Sequence, residues 1–425
     1  MPTQLTGAVA LPDDRCLLFS DTVYRTLDLV SGALADDPLP VGEHFAGVWP
    51  GGHVVPVYWG CGQVFFFHGS QFTRYDLASG RAQYDEPRPI AGNWPGVWED
   101  GFDAAFNALN GKVYVFKGSQ YLRYDIALER TDAGYPLSIA DMWPGVWADG
   151  MDAALCPDGM QVLFFRGTEY VVYDLLADQV VAGPLAIDAI GLDPRPAGLV
   201  RPARELSAGQ ANAILNYLVG KGQLTLRTGG APPAPGTCVA ISPAEVAGVR
   251  FVNAGARSSD IIDNVDQRMA VALWRLARWA NASAETVHSI LHLGIGHGSG
   301  ASDDCHNTGR AIDFSGVEGE RDGEAFTLDV QRDWGSKPAP DPSAYRLSEQ
   351  DEPATSIFQR AYTFGAYECE SRGRGREAWP PLAIGQSGFV IYPDYFGSGA
   401  QDCLALRRAH SNHIHMQVGP TRGPY

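Results

Sequence analysis

The residue types that most clearly predict chemistry in this chain are histidines near its C-terminal end. His410, His413 and His415 lie within the six residues H-S-N-H-I-H, and His306 and Asp313 lie about a hundred residues upstream with six residues between them. Seven of the 10 histidines fall between residues 288 and 415. Two neutral imidazoles and one carboxylate can hold a catalytic zinc ion, because three protein ligands leave the fourth position open for water. The pattern therefore predicts a metal site.

A strand and a loop must bring these residues together. The segment H-I-H-M-Q-V-G alternates polar and apolar residues, so we expect His413 and His415 on one face of a strand, about 7 Å apart along it. His306 precedes a second predicted strand, which carries Asp313. Zinc held there would lower the pKa of a bound water and polarise a carbonyl group. A neighbouring imidazole would then transfer protons or stabilise the developing oxyanion.

Two short motifs resemble those of the LAS-type zinc peptidases, which include zinc D-alanyl-D-alanine carboxypeptidases, murein endopeptidases and lysostaphin-like enzymes. The carboxypeptidase pattern S-x-H-x-x-G-x-A-x-D reads D-C-H-N-T-G-R-A-I-D over residues 304–313. The closing pattern H-x-x-H-x-H is met by residues 410–415. The resemblance covers roughly residues 205–425 and is strongest in these two motifs.

What this resemblance implies is a zinc site with a catalytic imidazole beside it. The implied zinc ligands are His306, Asp313 and His415. The implied catalytic histidine is His413, and His410 is implied to be an accessory group near the site.

Two positions depart from the family pattern. Asp304 replaces the motif serine, which changes the charge beside the site. The family usually has an arginine after the preceding strand that stabilises the substrate oxygen, whereas this chain has G-I-G-H-G-S-G there, with His297. Three alternatives follow: a protonated His297 takes this catalytic role, Arg257 reaches the site from elsewhere, or the site is inactive.

The first half of the chain contains an internal repeat. Each copy is an aromatic-rich strand, a tight turn and a second aromatic strand, which is typical of a β-hairpin. Successive copies end 48, 49 and 49 residues apart, at Asp28, Asp76, Asp125 and Asp174. Three copies carry glycine in the turn, and the first carries Asp21. Repeats of this length with about four strands each predict propeller blades.

These copies resemble the hemopexin repeat in the D-A-A opening, the F-K-G-x-x-Y-x-R-Y-D core and the W-P-G turn. The resemblance covers residues 1–192 and implies a four-bladed β-propeller that binds a protein, polysaccharide or surface ligand. The family's central tunnel often holds an ion, so Asp103 and Asp152, which open two blades, are candidate ligands for Ca2+ or Na+. The alternative is that both carboxylates bind backbone amides at the start of their strands.

A segment with three prolines and no periodicity, residues 193–204, is the predicted linker. Residues 205–425 mix helical and strand patterns, so the predicted fold is an all-β four-bladed propeller followed by an α+β zinc-peptidase-like domain. Within that domain, apolar residues at helical spacing from Ile262 to Leu276 predict one helix. The acidic, proline-rich insert at residues 317–353 predicts a solvated loop.

Composition limits the partners and the location. The 425-residue chain has a net charge of -17 and a pI near 4.9, and such a surface repels phosphate backbones, so no nucleic-acid partner is expected. No apolar run approaches the roughly 20 residues that span a bilayer, so no transmembrane segment is expected. The opening residues show no Sec signal. We expect cytoplasmic synthesis, with export or delivery by a non-classical route left open.

Taken together, the motifs predict a zinc-dependent peptidase, either a carboxypeptidase or an endopeptidase. Its expected substrate is a peptide or peptidoglycan, and the propeller is expected to target it to a protein or glycan surface. Two alternatives remain. One is a non-catalytic surface- or protein-binding protein whose C-terminal domain keeps the zinc fold. The other is a toxin protease acting on a host protein.

Overall fold

A computed structural model describes residues 4–35, 37–282, 285–297, 304–334, 353–369, 388–393 and 408–419. The chain divides into two compact units, Met1–Val200 and Arg201–Tyr425. Each unit buries its own set of apolar side chains. Among the described residues, no helix has the length and apolar character needed to cross a bilayer.

The first unit consists of four antiparallel sheets that follow one another along the chain. The first sheet contains β1 to β4 and is followed by the short helix α1: Gly7–Ala10, Arg15–Ser20, Val23–Asp28, Leu39–Pro40 and Val41–His44. The second contains β5 to β9: Val55–Gly60, Gln63–His68, Gln71–Asp76, Arg81–Ala82 and Arg88–Pro89. The third contains β10 to β14 and is followed by α2: Ala104–Asn107, Lys112–Lys117, Gln120–Asp125, Arg130–Thr131, Leu137–Ser138 and Ile139–Met142. The fourth contains β15 to β18: Ala153–Leu155, Gln161–Arg166, Glu169–Asp174 and Gln179–Ala186.

The innermost strands of the four sheets contact one another in a ring. β1 contacts β5, β5 contacts β10, β10 contacts β15, and β15 contacts β1. Leu17 and Phe19 of the first sheet share one apolar cluster with Leu163 and Phe165 of the fourth, so packing holds the first and last sheets together. Four such sheets around one axis form a four-bladed β-propeller, and the propeller prediction is confirmed.

The geometry of the hairpin turns explains why glycine recurs at the same position in three of the four blades. Gly69, Gly118 and Gly167 have φ angles of 53°, 51° and 58°, in the left-handed region that glycine adopts without steric cost. Asp21 occupies the same turn of the first blade with φ of 49°. Aspartate tolerates this region better than most residues, and its Oδ1 also accepts a hydrogen bond from the Gly52 amide at 2.8 Å. The first blade therefore keeps the turn without glycine.

The third blade contains a buried group of charges. Lys112 is 1% exposed, and its Nζ lies 2.6 Å from Asp125 Oδ2 and 2.9 Å from Asp132 Oδ1. The Arg123 guanidinium pairs with the same Asp132 carboxylate. In the second blade, Gln63 and Asp76 occupy the positions of Lys112 and Asp125. There a neutral amide replaces the ammonium group, and Gln63 Nε2 donates to Asp76 at 2.6 Å.

The second unit combines a nine-stranded sheet with helices. Its strands are β19 to β27: Leu224–Leu226, Val239–Val246, Val249–Asn253, Ile262–Val265, Thr286–Ile295, Ala311–Arg321, Glu324–Asp329, Gly388–Ile391 and Ile414–Val418. Its helices are α3 to α6: Ala208–Gly220, Gln267–Ala280, Val330–Asp333 and Ala354–Glu368. Short 3-10 turns occupy Ile187–Ala189, in the first unit, and Ala203–Glu205, before α3.

The order of strands places β24 in the interior of this sheet. The path is β19-β20-β21-β23-β24-β27-β26, with β22 paired to β20 and β25 paired to β24. β21 and β23 pair in parallel, and β24 pairs antiparallel with both β23 and β27. Side chains of α4 and α6 pack on β24, where the ring centroids of Phe314 and Phe358 are 6.4 Å apart. The helices therefore support the strand that carries Asp313.

Two sequence predictions for this unit are wrong. Residues Ile262–Val265 form β22, and α4 begins only at Gln267. Asn264 has φ of 53°, which interrupts helical geometry, and Asp266 then caps the helix by accepting from the Arg268 amide at 2.8 Å. The apolar spacing continued across this break, so the sequence pattern merged a strand with a helix.

The second error concerns the insert at residues 317–353. In its described part, β24 extends to Arg321, and β25 pairs back along it. The turn between them is Asp322-Gly323, with φ of 53° and 81°, and an Asp-Gly pair is a strong hairpin signal. The predicted solvated loop is therefore a β-hairpin followed by α5 up to Asp333, while residues 335–352 lie outside the described part of the chain.

Candidate metal centre

The candidate metal ligands lie on two adjacent strands and on the loop before one of them. β24 and β27 are antiparallel, and Asp313 lies directly opposite His415 in their register. His306 lies in the loop that precedes β24. Strand pairing therefore brings together residues that are 102 positions apart in the sequence.

The loop that carries His306 is fixed by backbone contacts. The Asp304 carboxylate accepts a hydrogen bond from the His306 amide at 2.9 Å, so the residue that replaces the motif serine still anchors the loop. Asn264 Nδ2 donates to the Asn307 carbonyl at 2.9 Å. Gly309 has φ of 73°, and a Cβ on it would lie 2.2 Å from the Asn264 carbonyl oxygen. Only glycine fits at this approach.

His306, Asp313 and His415 converge with the spacing of metal ligands. Asp313 Oδ1 lies 3.1 Å from His306 Nε2 and 2.8 Å from His415 Nδ1, and the two nitrogens are 3.3 Å apart. Ligand atoms around a tetrahedral zinc ion are about 3.3 Å from one another, because each is about 2.0 to 2.2 Å from the metal. Both histidines are 8% exposed. The donor types, their spacing and their burial fit a zinc ion.

A glutamine contacts the second ring nitrogen of His415. Gln417 Nε2 donates to the Gly419 carbonyl at 2.9 Å, which turns Gln417 Oε1 toward His415 Nε2 at 3.4 Å. His415 Nδ1 lies 2.8 Å from Asp313 Oδ1. With a metal ion on Nδ1, the ring hydrogen would lie on Nε2, where the amide oxygen of Gln417 can accept it.

His413 lies beside this set with one nitrogen directed at it. Its Nε2 is 3.4 Å from Asp313 Oδ1, and its Nδ1 is 2.7 Å from Asn412 Oδ1. Since the Asn412 oxygen accepts, His413 Nδ1 carries the hydrogen and Nε2 keeps its lone pair. Burial lowers the pKa of His413 to about 4. The imidazole is therefore neutral near pH 7 and able to accept a proton.

The charges within the set are strongly coupled. Burial alone would raise the pKa of Asp313, but hydrogen bonds from His306 and His415 outweigh it and hold the pKa well below its usual range. Burial would lower the pKa of His306, and the hydrogen bond to Asp313 reverses this and raises it. A carboxylate that remains ionised next to two imidazoles suits a divalent cation.

His410 completes a second set of three residues. Its ring centroid is 4.8 Å from that of His413 and 5.7 Å from that of His415. One ligand atom from each of these three histidines lies within 4.8 Å of the other two, and the same holds for His306, Asp313 and His415. The two sets share His415.

The two candidates for stabilising the substrate oxygen lie outside both sets of ligand residues. His297 is an exposed residue that follows β23 and belongs to neither set. Arg257 Nη1 pairs with Glu318 Oε1 at 2.9 Å. Glu318 follows Asp313 by five residues on β24, which is about 16 Å along the strand. The structure thus joins His306, Asp313, His410, His413 and His415, and it engages Arg257 away from them.

The proposed tunnel carboxylates bind backbone amides. Asp103 Oδ2 accepts from the Gly118 amide, and Asp152 Oδ2 accepts from the Gly167 amide, both at 2.6 Å. Both side chains therefore tie the start of an inner strand to the hairpin turn of the same blade, as the alternative interpretation expects. A Ca2+ or Na+ ion in the tunnel stays a prediction.

Sequence reasoning missed several residues that support the site. Asn412 and Gln417 flank the ligand motif, and Gln417 was detectable because it falls two residues after His415, on the same strand face. Asn264 gave no signal, since the carbonyls it binds are 32 and 43 residues away. His292, on β23, also gave no local signal. It is 5% exposed, its Nδ1 has no partner among the described residues, and burial lowers its pKa to about 4 despite the Asp313 charge.

Comparison with known proteins finds similarity between the first unit and proteins with hemopexin repeats. The family model for Hemopexin matches residues 57–99 and 102–148, which span the second and third blades. Similar solved structures include the seed albumin LS24 from Lathyrus sativus, with 23% identity over 44% of this chain and 89% of that chain and a TM-score of 0.37. A 2S albumin seed protein from Dolichos has 22% identity over 44% and 96%, with a TM-score of 0.39. The hemopexin fold protein CP4 from cow pea has 23% identity over 42% and 89%, with a TM-score of 0.36.

No curated protein matches the chain. The closed ring of four sheets defines the first unit as a four-bladed propeller. Its second and third blades match the hemopexin family model.

Proposed function

We propose that this protein is a zinc-dependent amide hydrolase, similar to D-alanyl-D-alanine carboxypeptidases and murein endopeptidases, which a hemopexin-like propeller targets to a protein or glycan surface. The observation that carries the proposal is the convergence of His306 Nε2, Asp313 Oδ1 and His415 Nδ1 at 2.8 to 3.3 Å, with His413 beside them. Structural zinc sites use four protein ligands, whereas hydrolytic sites use three and keep one position for water.

In this proposal, the three converging residues hold the ion, and His413 moves the proton. When bound, zinc supplies a Lewis acid and a water of lowered pKa. The hydrogen bond that His413 Nδ1 donates to Asn412 Oδ1 leaves His413 Nε2 able to accept a proton, which it can return to the leaving amine. The pKa of His413, about 4, keeps this nitrogen unprotonated at neutral pH. With the ion on His415 Nδ1, the hydrogen on Nε2 would donate to Gln417 Oε1 and hold the ring in place.

Metal analysis and a hydrolysis assay test the proposal. We expect about one zinc per chain in protein purified without chelator, and release of new amino termini from purified murein. His306→Ala should lower both zinc content and release, whereas His288→Ala, an exposed histidine of β23, should change neither. Zinc-free protein after purification in zinc-containing medium would rule the proposal out.

A binding protein without catalysis is the second candidate. The observation that favours it is the engagement of Arg257 with Glu318, which removes one candidate for stabilising the substrate oxygen. In that case the second unit would still bind zinc, and the propeller would perform the function. Murein incubated with metal-loaded protein across several pH values would then release no amino termini, while the protein would still sediment with the murein.

A further inference from the structure

Three imidazoles meet at the edge of the proposed zinc site without any carboxylate among them. His410, His413 and His415 each present a ligand atom within 4.8 Å of the other two. The rings of His410 and His413 are tilted by 49° with centroids 4.8 Å apart. Three histidines with this proximity are themselves a known type of zinc ligand set. The proposed hydrolytic site uses only one of them as a metal ligand.

We propose that the chain has a second metal position, formed by His410, His413 and His415, which overlaps the first position at His415. Zn2+, Co2+, Ni2+ and Cu2+ all accept imidazole ligands, so the second position suits these ions. The first set includes the Asp313 carboxylate as a ligand, which offsets part of the charge of a divalent ion, whereas the second set has three neutral ligands and only a neighbouring carboxylate, with Asp313 Oδ1 3.4 Å from His413 Nε2. The second position is therefore the weaker of the two.

The two positions compete for one nitrogen. His415 Nδ1 lies 2.8 Å from Asp313 Oδ1, and Nε2 contacts Gln417 Oε1 at 3.4 Å, so we assign Nδ1 as the ligand atom of both sets. A single ion therefore fills the first position in the intact protein. When the first set is broken, the ion retains three imidazoles in the second. An ion there would also engage His413, which the proposed reaction needs as a proton acceptor.

Cobalt titration tests the second position directly. Co2+ is added to the metal-free full-length chain, and visible absorption and bound metal per chain are measured. We expect His410→Ala to bind one Co2+ as tightly as the wild type. His306→Ala should still bind one Co2+, at least tenfold more weakly and with a changed absorption spectrum. His306→Ala combined with His410→Ala should bind none.

Two results would overturn the second position: no Co2+ binding by folded His306→Ala, or equal binding by the single and double variants. Circular dichroism establishes folding, and His288→Ala is the matched control on β23. If His306→Ala does not fold, Asp313→Asn breaks the first set from β24 and the same comparison applies. The readout is metal binding alone, so absence of hydrolysis would leave this result unaffected.

Discussion

At the scale of single residues, the proposed metal site includes a contact that would orient a ligand without touching the ion. Gln417 Oε1 lies 3.4 Å from His415 Nε2, where it can accept the ring hydrogen once an ion occupies Nδ1, and Gln417 is itself held by Gly419. Removal of such a partner typically weakens metal binding about 10- to 100-fold. We therefore expect Gln417→Ala to raise the zinc dissociation constant by this factor in a chelator competition assay. Gln417→Glu keeps an acceptor and should retain most of the affinity, and equal losses in both variants would contradict the orienting role.

His413 separates metal binding from catalysis. In the proposed reaction it accepts a proton and is not a zinc ligand, so His413→Gln should keep about one zinc per chain. Its turnover number should fall about 10²- to 10⁴-fold, which is the usual contribution of a general base. Atomic absorption and the murein assay measure the two quantities. Parallel loss of zinc and turnover would instead identify His413 as a ligand.

The sequence predicts the ligand residues better than it predicts their supports. His306, Asp313 and His415 follow from short motifs with fixed spacing, and the structure brings them together. Asn264 acts through carbonyls that are distant in sequence, and no local pattern indicates this. His292 looks like any polar residue of a strand until the sheet buries it.

At the scale of elements, the hairpin turns of the blades require a backbone conformation with positive φ, and this requirement can be tested. Gly118 has φ of 51° and open space around a would-be Cβ, so Gly118→Ala adds only backbone strain, about 1 to 2 kcal/mol. We expect the free energy of unfolding to fall by this amount in chemical denaturation. Gly191→Ala is the control, because its φ is not positive and its Cβ would meet only the Gly32 carbonyl oxygen, at 3.8 Å. Equal effects of the two variants would contradict the explanation.

Strand β23 buries an imidazole that should make the metal-free protein sensitive to acid. The pKa of His292 is about 4 in the folded state, against 6.5 for an ordinary histidine. As pH falls from about 6.5 toward 4, this histidine is protonated in the unfolded state before it is protonated in the folded state. The free energy of unfolding therefore falls over this range, by up to about 3 kcal/mol.

The test compares unfolding free energies of metal-free wild type and His292→Leu between pH 7 and pH 4. His413, whose pKa burial also lowers, and His306, whose pKa Asp313 raises, are present in both proteins. The difference between the proteins therefore reports His292, and it should shift in favour of the leucine variant as pH falls. His288→Leu should follow the wild type, and a pH-independent difference for His292→Leu would refute the assignment.

Elements with strong local signals were predictable, and breaks within a continuous pattern were not. The aromatic hairpins of the blades and the strand that carries His415 follow directly from the sequence. The strand β22 was hidden because its apolar residues match the helical spacing of α4, and only the left-handed backbone at Asn264 separates them. The Asp322-Gly323 turn was a readable hairpin signal that the composition of the insert obscured.

At the scale of the whole molecule, two units with separate cores predict two unfolding transitions. The metal residues all belong to the second unit. A ligand whose concentration is a hundredfold above its dissociation constant stabilises the folded state that binds it by about 2.7 kcal/mol. We expect zinc to raise one transition temperature in calorimetry and leave the propeller transition unchanged. A shift of both transitions, or of the propeller transition alone, would contradict the placement of the metal site.

The architecture was predictable where the sequence repeats itself. A period of 48 to 49 residues indicates blades, and four copies indicate how many. The second unit offers no such repetition. Its strand order, in which β24 lies between β23 and β27 although β25 and β26 intervene in the sequence, depends on long-range pairing that no local pattern encodes.

The buried charges of the third blade restrict which substitutions the propeller can accept during evolution. Lys112 contacts both Asp125 and Asp132, and Arg123 shares the second carboxylate. Loss of one member leaves an uncompensated buried charge, at a cost of about 3 to 5 kcal/mol. The arrangement of the second blade, in which the neutral amide of Gln63 donates to the Asp76 carboxylate, therefore requires coordinated replacements. These four residues should be inherited together, so that descendants of this chain keep the third blade recognisable while the other blades drift.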